Sequence, residues 1–190
     1  MGALSALDDC GLVIRQSFSE ALAVAPPHGV RLMAYWQSLI PDGGGLPRRD
    51  ALDPAKIVDI LPNFALMERT DPATILVRLI GTASVNRIGF DPTGRNILDI
   101  HVYSNRERLR RQLNLLLDRP CGQIIAVRQT YTSGRDLDLD ICRLPLADRS
   151  GEPRFIALVA CMRDYHRLEF QRARPEIRSD MLESTFFDLP

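Results

Sequence analysis

The stretch LIGTASVNRIGFDPTGRNILD, Leu79 to Asp99, carries glycines at 81, 89 and 94, arginines at 87 and 95, and a Thr93-Gly94-Arg95 triplet. Glycines beside basic residues are the raw material of a backbone cradle for phosphate. The spacing does not fit one. A dinucleotide fingerprint needs GxGxxG directly between a strand and a helix, and a P-loop needs GxxxxGK followed by Ser or Thr. Gly81, Gly89 and Gly94 match neither pattern, and no lysine occurs in the stretch. Gly94 instead permits a turn after Asp91-Pro92, with Asp91 as a cap or Asx-turn residue. The glycines read as joints in the chain rather than as a cradle.

Upstream, apolar spacing predicts a helix over about residues 4–24, ended by Pro26-Pro27, and a second on the stripe Val30, Met33, Ala34, Trp36 and Ile40. Pro41 and Gly43-Gly44-Gly45 then break the chain. Asp53 as N-cap and Pro54 as first residue predict a short helix to Ile60. From Asn63 the period changes to two, giving strands over Phe64–Glu68 and Thr74–Ile80 with Asp71-Pro72 at the turn. Downstream, ERLRRQLNLLLDRP places Leu109, Leu113, Leu116 and Leu117 at helical spacing. Three strands follow, Gln123–Thr132, Leu137–Leu146 and Arg154–Met162, with Ser133-Gly134 as a two-residue hairpin and ADRSGEP as a longer one. The order defines an α+β fold with one five-stranded antiparallel sheet. The tail starts as a polar helix and loses pattern at Pro175.

Across 190 residues, 24 Lys+Arg balance 24 Asp+Glu. A nucleic-acid partner, which favours a basic excess, is therefore not expected. No apolar run reaches the roughly 18 residues of a membrane span, and the N-terminus lacks the basic segment of a secretory signal. Cys10, Cys121, Cys142 and Cys161 form no CxxC, which suggests reduced thiols and a cytoplasmic location.

RLIGTASVNRIGFDPTGRNILDI resembles the run of a PAS domain in which the second strand leads into short helices. PLADRSGEPRFIALVACMRDY resembles the PAS ending, through Pro145, Leu146, Asp148, Gly151 and Asp164. The segments YWQSLIPDGGGLPRRDALDPAKIVDILPNFALME and VRLIGT resemble a bacterial family of small, mostly single-domain PAS-like proteins. The resemblance implies an N-terminal helical extension over residues 1–29, a PAS-like domain over 30–165 and a polar tail over 166–190. It implies short helices on one face of the sheet, a sensory or regulatory role, and action through a protein partner or a homodimer. A small-molecule ligand between sheet and helices belongs to the same expectation. No catalytic role is expected. A small enzyme with a site near Arg78, or a structural adaptor without ligand, stands as the alternative.

The candidate residues follow from cost. Arg78 interrupts the apolar strand ILVRLIG, and a buried guanidinium needs a carboxylate or an anionic ligand. Asp50 and Asp53 are the expected ion-pair partners. Thr82, Asn86 and Arg95 are placed at the mouth of the cavity, with Arg78, as ligand-binding candidates. Trp36 is expected to be a packing anchor between the helices and the sheet. Asp136, Asp138 and Asp140 share one strand face, opposite Leu137, Leu139 and Ile141, and read as a solvated stripe rather than a cation site.

The assumed hairpin sets Cys142 opposite Ile125, Cys121 near Leu146 and Cys161 near Asp138, too far apart for a shared metal. No metal site is therefore expected. PAS photosensors of the flavin-adduct type carry a reactive Cys where this chain has Ile97, which argues against that adduct. His101, in a loop before the long helix, is the sole haem-ligand candidate, and its position argues against haem.

Overall fold

A computed structural model describes residues 15–100, 102–103, 105–132, 134, 136–163 and 177–190 of the chain. Strand β1 (Arg15–Gln16) is followed by α1 (Phe18–Val24) and α2 (Pro27–Gln37). Ser17 opens α1 with a capping box, its hydroxyl accepting from the Glu20 amide while Glu20 accepts from the Ser17 amide. The expected helix over 4–24 is thus confined, among the described residues, to 18–24. Its first residues lie outside the described ones. Short 3-10 turns occupy Arg49–Ala51, Pro54–Ile57 and Leu61–Asn63. The second is the helix expected after Asp53, tightened and shortened, with the Asp53 carboxylate accepting from the Ala55 amide at 3.0 Å.

The hairpin of β2 (Phe64–Asp71) and β3 (Thr74–Ile80) leads into α3 (Thr82–Ile88). A 3-10 turn at Ile97–Asp99, the short β4 (Val102–Tyr103) and α4 (Arg106–Asp118) follow. Strands β5 (Gly122–Tyr131), β6 (Asp136–Ala147) and β7 (Pro153–Met162) match the expected run of three. An unexpected strand, β8 (Ile177–Phe187), lies in the segment read as a patternless tail. The order is β1-β8-β5-β6-β7-β2-β3, with β4 also on β8. Six strands are long and two are two-residue pieces, so the five-stranded antiparallel expectation holds with a sixth long strand added beside β5.

The hairpin between β5 and β6 is longer than expected. Its last paired residues are Thr130 and Asp136, and the Gly134 amide donates to the Tyr131 carbonyl. The β5–β6 register moves by one accordingly, and Cys142 faces Ile124 rather than Ile125. Across the separate β6–β7 hairpin, Cys161 faces Asp140 rather than Asp138, a difference of two.

The middle of the sheet is covered on both faces. On the outer face, Leu32, Met33, Tyr35 and Trp36 of α2 pack with Phe18 and Ala21 of α1 against Leu66, Cys142, Leu144, Ala157 and Val159. On the inner face, Leu109, Leu113, Leu116 and Leu117 of α4 pack with Leu98 against Met67, Ile75, Ile156 and Phe186. These four leucines are at most 2% exposed, and each contributes about 1.5–3 kcal/mol by burial, so α4 is anchored by its apolar stripe.

The joints in Leu79–Asp99 are steric. Gly81 is the N-cap of α3, and a Cβ there would stand 2.1 Å from the Leu61 carbonyl oxygen and 2.4 Å from that of Pro62. Gly89 ends α3 at φ 86°, a left-handed conformation costly for other residues. The Asp91 carboxylate accepts from the Thr93 amide at 2.9 Å, the Asx-turn expected there.

Gly81→Ala is expected to lower stability by about 1–3 kcal/mol, because backbone rather than a flexible side chain must move. Gly43→Ala, with nothing within 4 Å of the added carbon, should stay within about 0.5 kcal/mol of wild type. Urea unfolding of both variants checks the contrast, and equal midpoints would refute it.

Candidate functional site

Arg78 lies on the outer face of β3, with 42% of its side chain exposed. Its partner is Glu68, not Asp50 or Asp53. Its Nε donates to Glu68 Oε2 at 2.6 Å, and Arg154 of β7 donates to Glu68 Oε1 at 2.8 Å. Glu68 is 12% exposed and sits between two guanidiniums on the flanking strands. Glu68 and Arg78 lie on the two strands of the expected hairpin, whereas Arg154 reaches them only through the order of the strands. Asp50 accepts from Arg48 and lies 3.6 Å from Arg149. Asp53 is held by Tyr35, whose hydroxyl accepts from the Asp53 amide at 2.7 Å. Arg78, Asp50 and Glu68 nevertheless share one surface groove of about 710 Å3, lined also by Arg49, Arg149 and Arg154.

Thr82, Asn86 and Arg95 are exposed. Arg95 stacks over the Phe90 ring at 5.2 Å. The buried side of α3 is the other one, carrying Ser84 and Arg87 at 3% and 7% exposure. Arg87 Nη2 donates to Ser84 Oγ at 3.0 Å and Nη1 lies 3.5 Å from Asn63 Oδ1, while its Nε has no partner. The Tyr131 hydroxyl, at the end of β5, donates to the Arg87 carbonyl at 3.3 Å and ties α3 to the inner face. Burial pushes the Arg87 guanidinium below its ordinary pKa. Sequence reading passed over Arg87 in favour of Arg78 because it weighed strand context and not helix phase. Within TASVNRI, Ser84, Arg87 and Ile88 fall on one side, and the apolar Ile88 marks that side as buried.

The inner face is polar at further positions. Gln123 accepts from Arg143 at 2.9 Å and donates to Ser184 at 2.7 Å, a chain across β6, β5 and β8 whose members are at most 4% exposed. Gln129 and Ser179 stand opposite each other on β5 and β8, both buried, with Gln129 Oε1 and Ser179 Oγ unpartnered.

The other candidates resolve into structural parts. Trp36 is 1% exposed, stacks near Phe18, and donates its indole N–H to the Pro145 carbonyl at 2.8 Å. Asp136, Asp138 and Asp140 meet Thr130, Arg128 and Arg163 respectively. The hydrogen bond from Arg128 holds the Asp138 carboxyl below its usual range. Cys142 is fully buried, and loss of solvation pushes its thiol up to about 12. His101 lies outside the described residues.

An antiparallel sheet with α3, a 3-10 turn and α4 on its inner face, and polar groups buried between, is the architecture of a sensory signalling domain. The PAS domain family description matches residues 24–160, and the chain belongs to that family. The chain is also similar to solved structures. One, titled for a flavin analogue and the mechanism of a light-oxygen-voltage domain, is 14% identical, with TM-score 0.45, over 58% of this chain and 84% of that one. The photo-excited blue-light photoreceptor Vivid is 17% identical, with TM-score 0.44, over 72% of this chain and 97% of that one. Vibrio cholerae VqmA is 14% identical, with TM-score 0.47, over 60% of this chain and 54% of that one. No curated protein matches the sequence.

Glu68→Gln leaves two guanidiniums without their shared charge and is expected to cost about 1 kcal/mol, discounted for the exposure of both arginines. A urea midpoint unchanged from wild type would refute that brace. Cys142 should resist iodoacetamide at pH 8 in the native protein and react in urea, since a buried thiol holds almost no thiolate. Peptide mass mapping reads both states, and native labelling of Cys142 would contradict its assigned environment.

Proposed function

We propose that the protein is a regulatory module of bacterial signal transduction that holds a small molecule against the inner face of its sheet. It passes the occupied state to a protein partner or a second copy of itself. The observation that carries this reading is the set of buried polar groups on that face and on α3, of which Arg87, Gln129 and Ser179 keep unpartnered atoms. Unsatisfied buried donors and acceptors cost about 1–3 kcal/mol each, so a face shaped for stability alone would not retain several together. A ligand with matching groups removes that cost.

A non-catalytic role fits the same geometry. The strand carboxylates are engaged by Thr130, Arg128 and Arg163, and Cys142 is held as a neutral thiol. Among the described residues, no helix is long and apolar enough to cross a membrane. A cytoplasmic location accords with the cysteine usage. The surface groove of Arg49, Arg78, Arg149 and Arg154 offers a charged outer surface for a partner.

Protein purified natively, then denatured, is expected to release a small molecule that mass spectrometry detects and that raises the melting temperature when added back. An empty extract, with no thermal shift across a metabolite panel, would exclude the ligand-holding form of the proposal. Affinity capture of the native protein, with and without the released compound, then reads the partner. Retention that ignores the compound would break the link between occupancy and output.

A further inference from the structure

We propose that Arg87 anchors a buried site for a small anion, a carboxylate or a phosphate group, between α3 and the inner face of β5 and β8. The inference rests on the ligand-holding reading above and gives that ligand a charge class.

The first observation is a contrast among arginines. Arg78, Arg128 and Arg163 reach the surface and lie within 2.8 Å of carboxylate oxygens. Arg87 is 7% exposed, and among the described residues no carboxylate pairs with it. Its contacts are a serine hydroxyl and a primary-amide oxygen, neither of which carries charge. An isolated guanidinium taken from water is among the most costly groups a protein can bury, and exposed arginines need a counter-ion far less. Water could fill its hydrogen bonds but not neutralise it.

The second observation is independent of the charge. Gln129 and Ser179 are register partners on the inner face, and each keeps a buried polar atom without a partner. Tyr131 follows Gln129 by two residues, hence on the same face, and its hydroxyl reaches the Arg87 carbonyl. The Tyr131 hydroxyl thus brings the end of β5 to the backbone of α3 at Arg87. The groups that α3 offers are the Arg87 Nε–H and the Ser84 hydroxyl, and those that the inner face offers are the Ser179 hydroxyl and the Gln129 carboxamide. Guanidinium and hydroxyl donors around an absent counter-charge are the recognition set for a carboxylate or phosphate oxygen. The carboxamide can turn its NH2 toward the same oxygen.

Arg87→Met tests this, because it keeps side-chain length and removes the charge. The full-length protein, freed of any bound compound by denaturation and refolding, is titrated with sodium succinate and with inorganic phosphate at constant ionic strength. Wild type is expected to gain roughly 5–10 °C in melting temperature at saturation with one of them. R87M is expected to be at least as stable as ligand-free wild type and to show none of that gain. A gain of equal size in R87M, or no gain in wild type with either probe, overturns the inference. So does an R87M protein less stable than ligand-free wild type whose response to the probes is intact.

If R87M does not refold, Arg87→Lys keeps the charge without the planar fork. A reduced gain in R87K supports the site, and an undiminished one overturns it. The two arms separate the sources of the anion, succinate standing for carboxylates and phosphate for phosphate groups. A neutral compound that is released from native protein and stabilises wild type and R87M alike refutes the anion while leaving the sensory reading intact. An empty extract with no response to any metabolite removes both.

Discussion

The middle of the sheet is buried on both faces, and the rest of the structure follows from that constraint. A sheet with one wet face can alternate apolar and polar residues, as the first half of β6 does, but where α2 and α4 lie on opposite sides of β6 and β7 the strands are buried on either side. Two separate cores result, one under α1 and α2 and one under α4. Each polar group that points into either core has to find a partner by its own geometry. Trp36 does so through the Pro145 carbonyl, and Gln123 through Arg143 and Ser184. Arg87 does so only in part, which is why the inner face draws chemical interest and the outer core does not.

Much of this fold was legible because local signals agreed. The four leucines of α4, the Asp71 turn and the β-branched runs of β5 and β7 each point to one conformation, and the PAS-like segments supplied their order. The strand β8 was not legible. Its sequence IRSDMLESTFF has a bulge where Ala126 and Val127 pair with Glu183 and Met181, so the alternation resets at Leu182. The resulting pattern of Ser179, Met181, Ser184 and Phe186 on the inner face has no single period. The hairpin at Gly134 misled by its brevity, and one extra residue in a loop shifts every cross-strand partner by one.

The site was legible in kind but not in place. An arginine inside an apolar run reads as a buried charge, yet Arg78 lies where β3 meets solvent and finds Glu68 across the strand. Strand sequence does not say which flank is open, whereas helix phase does carry that information at α3. Positions 82 and 86 share the exposed side and 84, 87 and 88 the buried one. The loop aspartates could not be ranked as partners from sequence, since Asp50 and Asp53 are close in the chain but serve different neighbours, Arg48 and the Ala55 amide.

Consecutive residues at the end of β8 enter opposite cores. Phe186 packs inward with Leu109 and Leu116, and Phe187 packs outward with Phe18 and Trp36. A single backbone strand is therefore a rivet through both layers. Neither layer can loosen at this edge without drawing on the other, and Gly122, pressed against the Phe187 ring, leaves no slack between them. The inner face, where Ser179 and Ser184 lie on this same strand, is thereby in mechanical register with α1 on the far side of the sheet. A substitution that displaced β8 here would disturb the packing of both cores.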